Sequence, residues 1–174
     1  MRRRPRLGSP GGRSPYRQRS TWLRTQQLLA SSVPARLAYT ALDGKPRVVP
    51  IGFLWDDARF VICTVPGSPK VRAPEGRPDV AMTIDTERWP PNALLVRGQA
   101  TAELVAGVPP EYLEASRKVV PAAEWEGFED GVRALYKETT RIVVTPHGAK
   151  VLDFVTRLPS PVEKLIRQTS ARDA

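Results

Sequence analysis

The sequence predicts a mostly β fold: six or seven short antiparallel strands closed into a small barrel, with short helices around it. Three observations point there. The 174 residues include 18 Pro and 12 Gly, so elements are short and often interrupted, which excludes a helical bundle or a coiled coil. Asp43-Gly44 lies between two apolar runs and is the strongest hairpin signal in the chain. The run Ala93 to Val105 alternates throughout. Leu94, Val96, Gly98, Ala100, Ala102 and Leu104 share one face, and Arg97, Gln99, Thr101 and Glu103 the other. Small residues at the inward positions suit the tight interior of a small barrel.

The elements follow in order. Thr21 to Ser31 reads as a helix with Trp22, Leu23, Leu28 and Leu29 on roughly one face, ended by Val33-Pro34. Arg36–Leu42 is a strand with Leu37, Tyr39 and Ala41 on one face, and Lys45–Trp55 is its hairpin partner. Asp56-Asp57 turns the chain into a third strand, Arg59–Thr64. Pro66-Gly67-Ser68-Pro69 is turn chemistry. Ser68 suits an N-cap and Pro69 a first helical position, where a missing N–H costs nothing. Pro74 and Gly76 keep that helix short. Asp79–Asp85 is a strand with Val80, Met82 and Ile84 inward, and the Trp89-Pro90-Pro91 loop leads to the long strand. Two helices come next, Pro110–Lys118 and Ala122–Glu138; the second carries the stripe Trp125, Phe128, Val132, Leu135, Tyr136. Arg141–Thr145 and Lys150–Val155 close the fold as two strands around a Pro146-His147-Gly148 turn, and Val162–Arg167 forms a last helix.

The net charge of +9 lies in a tail. Residues 1–24 hold eight arginines and no acid, while residues 25–174 hold 19 basic and 18 acidic residues. The Arg, Pro, Gly and Ser of residues 1–20 bury too little apolar surface to order themselves, so this segment is expected to be disordered. No apolar stretch follows the arginines, so a secretory or twin-arginine signal is not expected. The Pro and Gly density argues against the amphipathic helix of an organellar transit segment, and a start codon placed too far upstream is a further reading. The tail is read as dispensable, with no nucleic-acid partner expected. The expected organisation is a tail over 1–20, a barrel domain over 21–158 and a C-terminal helix with a frayed end over 159–174. No stretch approaches the roughly 20 apolar residues of a membrane span, and a cytoplasmic location is expected.

The sequence lacks the phosphate loop, the dinucleotide fingerprint, the nucleophile elbow and the zinc-protease helix motif. Its single cysteine, Cys63, excludes an intrachain disulfide and a multi-cysteine zinc site, and its single histidine, His147, excludes a His-rich metal site. Cys63 alternates with apolar strand residues and reads as a core or pocket-wall residue rather than a nucleophile. Glu124, Glu126, Glu129 and Asp130 read as the solvated face of a helix. One segment stands apart, Thr64-Val65-Pro66-Gly67-Ser68-Pro69-Lys70-Val71-Arg72. A strand ends in a hydroxyl, a glycine turn follows, and a helix begins with a second hydroxyl and two cations. Free N–H groups, Ser and Thr hydroxyls and a lysine together suit a phosphate dianion. A capped turn with solvated basic residues is the competing reading.

Five pieces in order carry a resemblance. They are Arg36-Leu37-Ala38-Tyr39-Thr40; Asp43 to Phe53; Phe60-Val61-Ile62-Cys63-Thr64 with Ser68-Pro69-Lys70; Arg77-Pro78-Asp79-Val80-Ala81; and Val96-Arg97-Gly98-Gln99-Ala100. Over residues 20–156 the chain resembles the pyridoxamine 5′-phosphate oxidase-like flavin split-barrel family. The resemblance implies a six-stranded Greek-key split barrel, a homodimer, and FMN at the subunit interface. It implies that Arg47, Val48, Val49, Pro50, Ile51 and Gly52 form the strand that runs along the flavin. Cys63 and Thr64 match the next contact pair, and Ser68 and Lys70 the phosphate-binding turn. Arg72 joins them because it sits in the same helix start. The sequence departs from the family at Ala73-Pro74-Glu75-Gly76, at Pro69, and at Ala93, where the oxidase itself has a flavin-contacting glutamine. The C-terminal Arg and Trp elements that bind pyridoxamine phosphate are not evident, so that compound is not the expected substrate.

The resulting expectation is an FMN-dependent oxidoreductase acting on a small molecule by hydride transfer through the bound cofactor, in which no catalytic acid need be visible. A deazaflavin coenzyme in place of FMN, a flavin- or ligand-binding protein without turnover, and a nucleic-acid-associated protein working through its Arg-rich tail are the alternatives.

Overall fold

The structure, a computed structural model, describes residues 15–56, 58–154 and 158–171. Helix α1 (Pro15–Ala30) precedes strands β1 (Ala35–Thr40), β2 (Pro46–Ile51), β3 (Leu54–Trp55) and β4 (Phe60–Thr64). Then come α2 (Pro69–Arg72), β5 (Asp79–Asp85), β6 (Ala93–Ala106), α3 (Pro110–Ser116), α4 (Trp125–Leu135), β7 (Glu138–Leu152) and α5 (Ser160–Ser170). The seven strands form one sheet in the order β2-β1-β5-β6-β7-β4-β3, and every pairing is antiparallel. Among the described residues no helix is long and apolar enough to cross a membrane.

The closed barrel is not formed. Strands β2 and β3 lie at opposite ends of the sheet order, yet only Gly52 and Phe53 separate them in the chain. Three steps of about 3.8 Å hold Ile51 and Leu54 within roughly 11 Å of each other. The sheet therefore curls until its two edges meet, and a covalent link spans the seam where strand pairing is missing. This is a split barrel. The sequence places one strand over Lys45–Trp55; the structure breaks it at this link into β2 and β3. Proline explains the open edge. Pro46 and Pro50 lack N–H groups and stand four residues apart in β2, so both missing donors fall on the same side of the strand.

The alternation in the sequence is realised at the core. Leu37, Phe60, Ile62, Ile84, Ile142 and Val144 are fully enclosed. Phe53, at the link, stacks edge-on against Phe60 with centroids 5.6 Å apart, and Trp55 lies 4.7 Å from the same ring. Leu94, Val96 and Ala100 of β6 point inward as expected, but Leu104 is 60% exposed because β6 runs on past the barrel alongside β7.

Three helical expectations change. α1 begins at Pro15 rather than Thr21, with a proline at its first position, so residues 15–20 of the expected tail are helical; residues 1–14 lie outside the described residues. Only Leu28 and Leu29 of α1's expected apolar face are buried, while Trp22 and Leu23 are exposed. α1 is also tied by charge: Arg24 Nε lies 3.4 Å from Asp153 Oδ2, fully buried at the end of β7, and Arg24 Nη1 donates to Asn92 Oδ1. The expected helix 122–138 is a short 3-10 turn, Ala122–Glu124, followed by α4. Its aromatic stripe packs on α3 through Tyr112, which stacks on Phe128 and meets Tyr136 edge-on, whereas Leu135 stays exposed. In the acidic cluster, Glu129 is not simply solvated; it accepts hydrogen bonds from Trp125 Nε1 and Arg133.

The largest correction is at β7. Pro146-His147-Gly148 does not turn the chain but sits inside one 15-residue strand. Arg97 pairs with Gly148 and Gly98 with Pro146, so His147 is the extra residue of a β-bulge. Gly98 makes the bulge fit. A Cβ there would stand 2.5 Å from the Thr145 carbonyl oxygen and 3.1 Å from Pro146 Cα, both backbone atoms. Gly98→Ala is therefore expected to destabilise the fold by about 1–3 kcal/mol, the range for overpacking a tight site. Urea unfolding measures it, and an unchanged midpoint would show that the bulge yields without strain.

Candidate functional site

The seam concentrates the polar chemistry of the barrel. At the end of β4, Cys63 pairs in register with Arg141 and Thr64 with Thr140. The turn after Thr64 carries Gly67 at φ +81°, a left-handed conformation that suits glycine. Ser68 then starts α2 with extended backbone and Pro69 follows as the first helical residue, as the sequence predicts. The Ser68 hydroxyl makes no capping bond; instead Lys70 Nζ donates to Ser68 Oγ at 2.8 Å. α2 is a single turn, so its dipole adds little and the side chains carry the site. Burial holds the Lys70 pKa below the usual lysine range. Among the described residues no carboxylate pairs with it. A half-buried ammonium bonded to the Ser68 hydroxyl, with no acid among the described residues to neutralise it, is a donor set that fits a phosphate; Thr64 lines the neighbouring cavity with Cys63 and is not brought to Lys70 by any contact among the described residues. Arg72, at the exposed end of α2, is not drawn into this cluster by any contact.

The strand expected along the flavin divides between two surfaces. Arg47 is committed to its own hairpin: Nη2 donates to Asp43 Oδ2 at 2.8 Å and Nη1 to the Pro46 carbonyl. The Lys45 N–H and, behind it, the Arg47 guanidinium hold the Asp43 carboxyl below its ordinary value. Val49 and Ile51 pack against the core. Val48 and Pro50 are exposed, and Val48 lines a groove of about 450 Å³ on the outer sheet face with Ala38, Ala81, Leu95, Arg97 and Ala149. Gly52, at the link, opens on a different space.

That space is a cavity of about 360 Å³ at the seam. Gly52 and Cys63, remote in sequence, meet on its wall, together with Phe53, Val33, Tyr112 and Lys118. A smaller cavity of about 180 Å³ continues along Cys63 and Thr64 to Tyr136 and Thr139. Burial, with the charge of Glu111 behind it, pushes the Cys63 thiol up to about 11, against the opposing charge of Arg141. The thiol is therefore protonated at neutral pH and serves as a wall rather than a nucleophile. Arg141 is held in place by Glu103 at 2.8 Å and Glu111 at 2.9 Å.

The residues missed by sequence reasoning come from α3 and the segment after it. Tyr112, Ala115, Ser116 and Val119 recur at the i, i+3, i+4, i+7 spacing of one helix face. That stripe was the available signal, and it reads equally well as ordinary packing. Lys118 carries no signal of its own. Its Nζ donates to the carbonyls of Leu29 at 2.9 Å and Phe53 at 3.0 Å, and burial lowers its pKa. For both buried lysines the folded pKa lies below the unfolded value. The unfolded chain thus binds more protons in that interval, and stability rises as pH rises through it.

Comparisons with known proteins agree with this architecture. The sequence profile of the family described as pyridoxamine 5′-phosphate oxidase matches residues 24–145. No curated protein sequence matches the chain. Among solved structures, one described as an F420 reductase is 22% identical, with a TM-score of 0.53, over 72% of this chain and 94% of that one. General stress protein 26 of Bacillus anthracis is 16% identical, with a TM-score of 0.54, over 75% and 92%. A conserved hypothetical protein of Mycobacterium tuberculosis is 15% identical, with a TM-score of 0.55, over 77% and 85%. At these identities the structural likenesses speak for the fold alone. The profile, covering most of the chain from the second half of α1 into β7, speaks for descent: the chain belongs to the pyridoxamine 5′-phosphate oxidase family.

Proposed function

We propose that the protein is an oxidoreductase that binds FMN, or a deazaflavin coenzyme, at the barrel seam and acts on a small molecule other than pyridoxamine phosphate. The observation that carries this reading is the Thr64–Lys70 turn, where a half-buried, unneutralised lysine bonds to Ser68. Family membership supports it. Bound there, a flavin supplies hydride transfer at its ring system. The chain supplies the rest. Lys70 and the Ser68 and Thr64 hydroxyls bind the phosphate end. Gly52, with no side chain, leaves the cavity mouth open beside the link. Cys63, as a neutral thiol, and Phe53 give the seam an apolar wall that excludes water. A deazaflavin coenzyme also carries a phosphate on its side chain, so the same residues serve either cofactor. Reduction of the bound cofactor by reduced nicotinamide, or turnover of reduced deazaflavin, separates an oxidoreductase from a binding protein.

A charge-assisted hydrogen bond to a partly buried phosphate is worth about 1.5–3 kcal/mol. Lys70→Ala is therefore expected to weaken FMN binding roughly tenfold to a hundredfold. Riboflavin, which lacks the phosphate, is expected to bind the parent poorly and to be indifferent to the substitution. Fluorescence titration of both ligands into both proteins measures this. Equal weakening of riboflavin and FMN would remove Lys70 from the phosphate and assign it to the fold or the ring.

The reading includes a cytoplasmic symmetric dimer. Its support is the groove on the outer sheet face, where exposed Val48 and Leu95 lie among Ala38, Ala81 and Ala149, with Arg36, Arg97 and Lys150 also on its wall; a monomer leaves these apolar side chains in water. The long β6 strand and the loop at Trp89, 89% exposed, are expected to contribute. Light scattering at micromolar concentration should give twice the 19.3 kDa chain mass, and Leu95→Asp should return the monomer. A monomeric parent would refute the dimer.

A further inference from the structure

We propose that the 360 Å³ seam cavity binds the carboxylate of a small, otherwise apolar molecule, with Lys118 as its anchor. Three facts converge. First, the ammonium of Lys118 has three N–H donors, and two are used, on the Leu29 and Phe53 carbonyls. Among the described residues the third meets no oxygen acceptor; the Phe53 ring face, 4.2 Å from Nζ, is a weaker partner for a charge than an anion. Second, among the described residues Lys118 is the only ionised side chain on the cavity wall, and no acid lines it. A half-buried cation without a counter-charge is an unfavourable arrangement that an incoming anion relieves.

Third, the remaining wall limits what that anion is. Val33, Pro34, Phe53, Ala115 and Val119 are apolar. The Ser31 and Ser116 hydroxyls already donate to the carbonyls of Leu28 and Tyr112. One cation and few free donors suit a single negative charge on an apolar body, not a phosphate dianion, which needs several donors. The cavity is also at the small end of the size range for ligand sites, about 300–1,000 Å³.

The cavity shares Gly52 and Cys63 with the proposed cofactor strand and contact pair, which makes it the substrate chamber. That role rests on the flavin reading above; carboxylate binding itself does not. Lys118 is thus a binding and specificity residue, distinct in task from Lys70.

The test uses benzoate and the uncharged benzyl alcohol as probes, titrated calorimetrically into the full chain. Benzoate should saturate the parent and bind at least about tenfold more tightly than benzyl alcohol. Lys118→Met, which keeps the stem and removes the charge, should weaken benzoate by roughly tenfold to a hundredfold and leave benzyl alcohol and FMN unchanged. Lys70→Ala should leave benzoate unchanged. Ala115→Leu fills the cavity without touching the Lys118 bonds and should weaken both probes, so the test stands even if Lys118→Met fails to fold. Absence of saturable benzoate binding, no preference for the anion, insensitivity to Ala115→Leu, or a folded Lys118→Met that weakens FMN as much as benzoate would each overturn the proposal. Benzoate binding without FMN binding would instead sink the flavin reading and keep the carboxylate site.

Discussion

Gly52 and Phe53 have to carry the chain from one free edge of the sheet to the other, and the architecture follows from that short span. Because the link is two residues long, the seven strands must curl until β2 and β3 meet. Because Pro46 and Pro50 remove donors from β2, the meeting edges do not zip together. The result is a barrel whose two halves share an enclosed core while a gap remains along one line. Phe53 plugs that line from within through its contact with Phe60, and its carbonyl receives Lys118 from the helical side.

The two half-buried lysines give the site its electrostatic character. Lys70 and Lys118 come from different parts of the chain, yet burial alone lowers the pKa of each. Neither is met by an acid among the described residues. Several cations elsewhere in the structure are paired: Arg24 with Asp153, Arg36 with Asp85, Arg141 with Glu103 and Glu111. The contrast makes the seam a place of unsatisfied positive charge in a domain whose folded part is otherwise close to neutral. Lys118 lines the seam cavity, whereas Lys70 stands on the turn after β4, bonded to Ser68 and off the cavity wall.

Legibility in the sequence follows sequence distance. The Thr64–Lys70 segment is legible as a glycine turn leading into a short helix because Gly67, Ser68 and Pro69 are neighbours in sequence, and local turn chemistry gives Gly67 its positive φ and Pro69 the first helical position. The strands Asp79–Asp85 and Ala93–Val105 are legible because alternation is a local property. The seam cavity is not, since Gly52, Cys63 and Lys118 meet only when the β7-β4-β3 pairing is known. The Pro146-His147-Gly148 segment misleads for the same reason. Its composition says turn, while the fact that decides it is the missing Cβ of Gly98 on another strand. Trp22 and Leu23 read as core because a short helix with four apolar residues suggests one buried face, but among the described side chains of α1 only Leu28 and Leu29 are buried.

The strand order also sets the timetable on which a growing chain can fold. β1, β2 and β5 find partners among themselves soon after they are made. β4 cannot: its long partner is β7, with Phe60 opposite Val144 and Thr64 opposite Thr140. About 84 residues must be added between Phe60 and Val144, which at roughly 5–20 residues per second is on the order of 4–17 s of synthesis. Through that interval Phe60 and Ile62, among the most deeply enclosed side chains of the finished protein, have only the two-residue β3 beside them. The nascent chain thus carries an apolar segment whose shelter is the last strand to leave the ribosome, and the seam is completed only when that strand arrives.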